Sequence, residues 1–207
     1  MITSRKPQKK QEELSASFWT GETPAVDRWL GADAASIKKV GLFGGSFNPI
    51  HYGHTGLAQF ILENTDIQQI WLMVSPQNPL KKRSDLMDDE TRLRLAREAT
   101  ATMPNIRVCD IEMQLPVPSY TLNTLNVLEQ MYPAIEFTLI IGSDNVFVFD
   151  RWYGYKEILE KHPILVYPRP GYDAESLIEE KYPSMKLLTG APTFPISSTQ
   201  IRSGNSI

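Results

Sequence analysis

Lys39-Val40-Gly41-Leu42-Phe43-Gly44-Gly45-Ser46-Phe47-Asn48-Pro49-Ile50-His51-Tyr52-Gly53-His54 is the stretch on which the reading of the fold turns. It opens as a short apolar run, 40–43, fit for a buried strand. Gly44-Gly45-Ser46 then strips away side chains, so backbone N–H groups can approach a ligand closely. Asn48-Pro49 makes a turn, because proline fixes its own φ and drives its predecessor out of the helical region. Leu57, Phe60 and Ile61 follow at i, i+3 and i+4 spacing, which predicts a helix over 53–64. Strand, glycine loop and helix start in that order aim N–H groups and a helix dipole at one spot, a natural place for an anion. Two of the chain's three histidines, His51 and His54, stand at this helix start and share one face if the turn is helical. Such donors serve a polyphosphate, adding charge and hydrogen bonds without a fixed metal. The stretch lacks both Gly-Lys-Ser/Thr and G-x-G-x-x-G, so ordinary mononucleotide kinases and dehydrogenases fit poorly.

Outward from this stretch, apolar runs predict strands over 69–74, 106–111, 135–141, 164–167 and 185–188. Helical patterns separate them at 88–102, 121–131, 145–160 and 173–181, with Asp88 or Asp89 placed to cap the first of these. The run over 135–141 is almost continuously apolar, as a central strand of a parallel sheet should be. Alternation of this kind predicts an α/β fold, a doubly wound and mostly parallel sheet with helices on both faces. The glycine loop and the segments 75–82, 119–121, 142–144 and 197–202 all follow expected strands. In an open α/β sheet, ligands bind in the crevice outside the strands' carboxyl ends. The separated segments are therefore expected to converge on one cleft.

The composition bounds the rest. A chain of 207 residues with 42% hydrophobic and 22% charged residues holds one ordinary core, with room for an appendage. A formal net charge of −3 indicates no global attraction to nucleic acid or to an anionic membrane. The single cysteine, Cys109, lies in an apolar-leaning run, reads as a buried small residue and suits a reducing compartment. No apolar run is long enough to span a bilayer, and no apolar stretch follows the basic N-terminal residues as in a secretory signal. A cytoplasmic protein is expected. Residues 1–37 read as a partly flexible extension and 38–207 as the domain. Within the extension, 24–30 is expected as a short helix laid on the surface, anchored by Trp19 and Trp29, so removal of 1–34 should leave the fold and activity largely intact.

Gly45 to His54 resembles the G-x-F-x-P-x-H-x-G-H signature of the nucleotidyltransferase superfamily, and Ile196-Ser197-Ser198-Thr199-Gln200-Ile201-Arg202 resembles its second signature, Ile-Ser-Ser-Thr-x-Ile-Arg. Between them, Ser119-Tyr120-Thr121 and Gly142-Ser143-Asp144 with Trp152 are similar to bacterial nicotinate-nucleotide adenylyltransferases in particular. The resemblance covers roughly residues 38–203 and implies a Rossmann-like sheet and transfer of the adenylyl group of ATP to nicotinate mononucleotide. It implies that His51, His54 and Arg202 carry the catalysis. Gly44, Gly45, Ser46, Phe47, His54, Gly142, Asp144, Ile196, Ser198, Thr199 and Arg202 would hold ATP. Ser46, Lys81, Ser119, Tyr120, Thr121 and Trp152 would hold the mononucleotide, Lys81 from a mobile basic loop and Trp152 by stacking on the pyridine. Magnesium is expected to be held mainly by the ATP phosphates, with no metal ligands from the protein. Nucleic acid and membrane are not expected partners, and a homo-oligomer is left open. The family usually shows Asp where this chain has Asn123. The phosphopantetheine adenylyltransferase shares both signatures and stands as the second expectation, with a catalytically weakened nucleotide-binding regulator as the third.

Overall fold

In the computed structural model, which describes residues 29–31, 34–76 and 86–204, β1 (Lys39–Gly45) and β2 (Gln69–Val74) are followed by β3 (Ile106–Cys109) and β4 (Glu136–Gly142), and β5 (Ile164–Tyr167) and β6 (Met185–Leu187) end the series. All neighbouring strands pair in parallel, in the order β3-β2-β1-β4-β5-β6. The helices are α1 (Tyr52–Asn64), α2 (Asp89–Thr100), α3 (Thr121–Met131), α4 (Ser143–Val146), α5 (Tyr155–Lys161), α6 (Glu175–Lys181) and α7 (Ser198–Arg202). The order reverses between β1 and β4, which lie side by side with Phe43 opposite Ile140. That reversal is the topological switch point, where an open α/β sheet leaves a crevice.

Period-two alternation along the strands divides the core into two layers. Val40 and Leu42 of β1, with Phe137, Leu139 and Ile141 of β4, face a layer that includes Leu125 and Leu128 of α3, Ile158 of α5 and Ile178 of α6. Phe43 and Ile140 point the other way, to Leu57, Ala58 and Ile61 of α1 and Ala96 of α2. The sheet is thus covered on both faces, which explains why its strands read as unbroken apolar runs. Gly41 is the exception in β1. A Cβ there would lie 2.7 Å from the Cδ1 atoms of both Ile140 and Ile70, so a larger residue would wedge the strands' side chains apart.

Several boundaries differ from the sequence expectation, each for a local reason. Asp88 is the cap of α2, accepting the Thr91 N–H at 2.8 Å, so the helix starts at Asp89. β3 stops at Cys109, because the chain turns into a 3-10 helix, Ile111–Gln114, that buries Ile111 and Glu112. The expected helix over 145–160 is three pieces: α4, a 3-10 turn at Phe149–Arg151, and α5. Gly154 separates the last two at φ 65°, and a Cβ there would sit 2.1 Å from Leu122 Cδ2. Trp29 also departs from a surface anchor. It is 3% exposed, with its ring 5.5 Å from Trp71 and 6.2 Å from Tyr132, because those aromatics leave a slot at the edge of the α3 layer. Trp19 and most of the helix expected over 24–30 lie outside the described residues. Cys109 is fully buried, as expected.

Candidate active site

The crevice at the switch point is a cleft of about 890 Å³. The β1 loop supplies Gly44, Gly45, Ser46 and Phe47 to its wall, with His51 and His54 at the start of α1. Ser119, Tyr120 and Thr121 line it from the start of α3, and Gly142, Asp144 and Trp152 from the segment after β4. Ile196, Ser198, Thr199 and Arg202 close it from the last turn. Lys81 lies outside the described residues. Apart from Lys81, every residue expected to catalyse or to hold ATP or the mononucleotide therefore faces one cavity.

The β1 loop is held in an unusual shape. Phe47 adopts φ 41°, a left-handed conformation that costs a side-chain-bearing residue about 1–3 kcal/mol and persists only where its surroundings enforce it. Its buried ring packs edge-on against Phe43 at 5.8 Å and His54 at 5.0 Å. His51 is the N-cap residue of α1, and its imidazole lies 3.8 Å from that of His54 at 32°. The His51 N–H donates to His54 Nδ1 at 3.2 Å. That bond leaves the proton of a neutral His54 ring on Nε2, as a donor. Burial, and then the guanidinium of Arg169, hold the His51 imidazole below its ordinary range.

The far end of the chain reaches this loop directly. Ser198 Oγ donates to the Pro49 carbonyl at 2.9 Å, and Arg202 Nη1 donates to the Asn48 carbonyl at 2.6 Å. Arg202 Nη2 also donates to Thr199 Oγ1 at 3.4 Å, and Ser197 caps α7 by accepting the Gln200 N–H at 3.2 Å. The two signature segments thus form one continuous wall. Across the cleft Trp152 is half-buried, its ring 5.2 Å from Phe149, and Tyr120 packs 5.1 Å from Tyr153. Asp144 takes no cap role. Its Oδ1 lies 3.4 Å from Arg169 Nε and accepts from Asn145 Nδ2 at 3.3 Å.

Three residues of the site were not found by sequence reasoning. Arg92, fully buried on α2, donates through Nη1 to the carbonyls of Ser46 at 2.7 Å and Ser75 at 2.8 Å, and through Nε to that of Met87 at 3.1 Å. It clamps the loop after β1 to the end of β2, with Asp89 as its ion-pair partner. Glu112 lies buried at the cleft wall, accepting from Ser75, Ser119 and Thr124. Arg169 follows β5, its backbone N–H on Ser143 Oγ at 2.9 Å and its Nη2 donating to Tyr167 Oη at 3.1 Å. Arg169 is the one with a sequence signal, as a cation two residues after an expected strand.

Residues 42–204 match the Cytidylyltransferase-like family model. Over 164 residues the chain is 49% identical to a Bacteroides fragilis protein named "probable nicotinate-nucleotide adenylyltransferase", covering 79% of this chain and 80% of the relative. A Porphyromonas gingivalis protein of the same name is 41% identical over 163 residues, with 78% and 81% covered. Among solved structures, the Plasmodium falciparum nicotinic acid mononucleotide adenylyltransferase complexed with NaAD superposes with a TM-score of 0.69, covering 80% of this chain and 83% of that one. At 21% identity that likeness speaks for the fold.

Proposed function

The chain belongs to the nicotinate-nucleotide adenylyltransferase family, and we propose that its cleft transfers the adenylyl group of ATP to nicotinate mononucleotide. The observation that carries this reading is the docking of α7 on the β1 loop, through Arg202 on Asn48 and Ser198 on Pro49, beside the paired imidazoles. It brings two histidines, hydroxyls and a guanidinium to one wall of the crevice, a donor set suited to a triphosphate.

In the reaction, a 5′-phosphate oxygen of the mononucleotide attacks the α-phosphorus of ATP. The new P–O bond forms as the bond to the β-phosphate oxygen breaks, and pyrophosphate leaves with the electron pair. No covalent enzyme intermediate is needed, so the protein's work is alignment and stabilisation of charge. His51 and His54 stabilise charge on the α-phosphoryl oxygens. Thr199, Ser198 and Arg202 receive the β- and γ-phosphates, with Gly44, Gly45, Ser46 and Phe47 shaping the floor. Gly142 and Asp144 serve the ribose and Ile196 borders the ATP side. The mononucleotide lies against Ser46, Ser119, Tyr120, Thr121 and Trp152, and Lys81 contributes from its loop.

Magnesium belongs with the nucleotide in this scheme. The ion prefers oxygen ligands and commonly keeps phosphate oxygens and water. Among the described residues no group of three His, Cys, Asp or Glu offers it a cage, and the Asp144 carboxylate already faces Arg169. A protein-held metal does not fit these side chains, and no step is assigned to one. A cytoplasmic setting, where ATP is abundant, goes with the reading. Among the described residues no helix is long and apolar enough to cross a membrane.

The test is product formation. ATP and nicotinate mononucleotide, incubated with the protein and Mg²⁺, should give equal amounts of nicotinate adenine dinucleotide and pyrophosphate. Pyrophosphate release with 4′-phosphopantetheine in place of the mononucleotide, and none with the mononucleotide, would reject the assignment.

A further inference from the structure

Glu112 is 4% exposed, in the 3-10 turn that follows β3. No step above uses it, yet it is the meeting point of three elements around the cleft. Ser75 Oγ, at the end of β2, and Ser119 Oγ at 3.2 Å donate to its Oε2, and Thr124 Oγ1, in the first turn of α3, donates to Oε1 at 3.1 Å. Ser75 is itself tied onward, its N–H to the Gly45 carbonyl at 3.0 Å and its carbonyl to Arg92 at 2.8 Å. One carboxyl therefore links the glycine loop, the end of β2 and the start of α3. Ser119, Tyr120 and Thr121 follow this junction in the chain and line the cleft beside it.

We propose that Glu112 is a positioning residue of the pyridine-side subsite: by receiving Ser75, Ser119 and Thr124 together, it holds residues 119–121 in the shape that accepts the mononucleotide. This rests on the cleft reading given above. The chemistry of the group suits the task. Burial pushes the carboxyl upward while its three hydroxyl donors pull against that shift. Burial thus favours the protonated form, which presents no charge to repel a pyridine carboxylate nearby. Removing the side chain would take the acceptor from Ser75 and Ser119, leave the Thr124 hydroxyl only its longer bond to the Tyr120 carbonyl at 3.4 Å, and let the start of α3 move. Glutamine, neutral and of the same shape, can keep two of the elements joined and restore most of the geometry.

Steady-state kinetics on the full chain, varying ATP and nicotinate mononucleotide separately, test the proposal in the wild type and in the E112A, E112Q and T124V variants. Thr124 is fully buried, and its hydroxyl contacts the Glu112 carboxyl and, at 3.4 Å, the Tyr120 carbonyl at the head of α3, rather than the cavity. T124V therefore reports on positioning even if E112A does not fold. E112A should raise KM for the mononucleotide by about tenfold or more, one unsatisfied buried contact being worth that factor. KM for ATP should stay within about threefold. T124V should show the same split at smaller size, and E112Q should fall within about threefold of wild type in both constants. Equal rises in both KM values, or a T124V variant with unchanged KM for the mononucleotide, would overturn the positioning role while leaving the cleft reading in place. A wild type that is inactive with nicotinate mononucleotide would overturn the cleft reading and this inference with it.

Discussion

His51 and Arg169 set the electrostatics of the cleft. Burial first, and the guanidinium second, disfavour a positive imidazole at His51. In the free protein its titration, followed by NMR, is expected below the ordinary value of about 6.5. Arg169→Ala removes one of the two causes, so the midpoint should move up, towards that value. An unmoved midpoint would show that the two groups do not interact. The kinetic expectation concerns the pair. Replacing His51 or His54 by Ala should lower kcat on the order of 10²-fold or more, with a smaller change in KM for ATP. Unchanged turnover in both would reduce the two rings to helix-start residues. At this scale the histidines, hydroxyls and Arg202 were legible, because their spacing repeats a known signature. Arg92 and Glu112 were not. A charged side chain in a helical or polar run looks solvated in sequence, and only the fold shows that carbonyls or hydroxyls surround it.

Elements are joined around the cleft by a few buried polar contacts. Arg92 on α2 donates to three backbone carbonyls, those of Ser46, of Ser75 and of Met87 just ahead of the Asp88 cap. Its loss would take this donor from three part-buried carbonyls at once. Arg92→Met should destabilise the protein by roughly 3–5 kcal/mol in urea unfolding, with a lowered kcat from the loosened β1 loop. A cost below about 1 kcal/mol would mean that the carbonyls find other donors. The alternation of strands and helices was legible from periodicity, and so was the cap at Asp88. The break between α4 and α5 was harder to see. It depends on Gly154 at φ 65° against Leu122, a residue of another helix, and tertiary contact of that kind leaves no local pattern. The early end of β3 has the same origin, since Ile111 and Glu112 turn inward to fill the region between sheet and α3.

On the scale of the molecule, the strand order β3-β2-β1-β4-β5-β6 explains why distant segments form one site. β1 and β4 diverge in their connections, and the loops leaving their carboxyl ends face the same crevice. The convergence was legible, because each motif followed an expected strand. The place of Trp29 was not, since nothing near it in sequence announces Trp71 and Tyr132. Trp29→Ala should cost about 3–5 kcal/mol, as large aromatic truncations in a core do. A melting temperature equal to wild type would return Trp29 to the surface.

On the proposed reading, this cleft adenylates the acid form of a pyridine mononucleotide. Nicotinate and nicotinamide mononucleotides differ in one group of nearly equal size, so charge and donor matching must separate them. N–H groups at the start of α3, an eleven-residue helix, can donate to a carboxylate, and the dipole adds attraction. An amide would turn its own NH₂ toward those donors and leave them unpaired, at roughly 1–3 kcal/mol for each mismatch. Asn123 stands in the first turn of that helix, where the family usually carries Asp, and an uncharged residue there works against the preference, because it tolerates the amide better. Initial rates with each mononucleotide at saturating ATP give the two kcat/KM values. The acid form should be preferred on the order of 10²–10³-fold or more, whereas comparable values for the two would contradict the account.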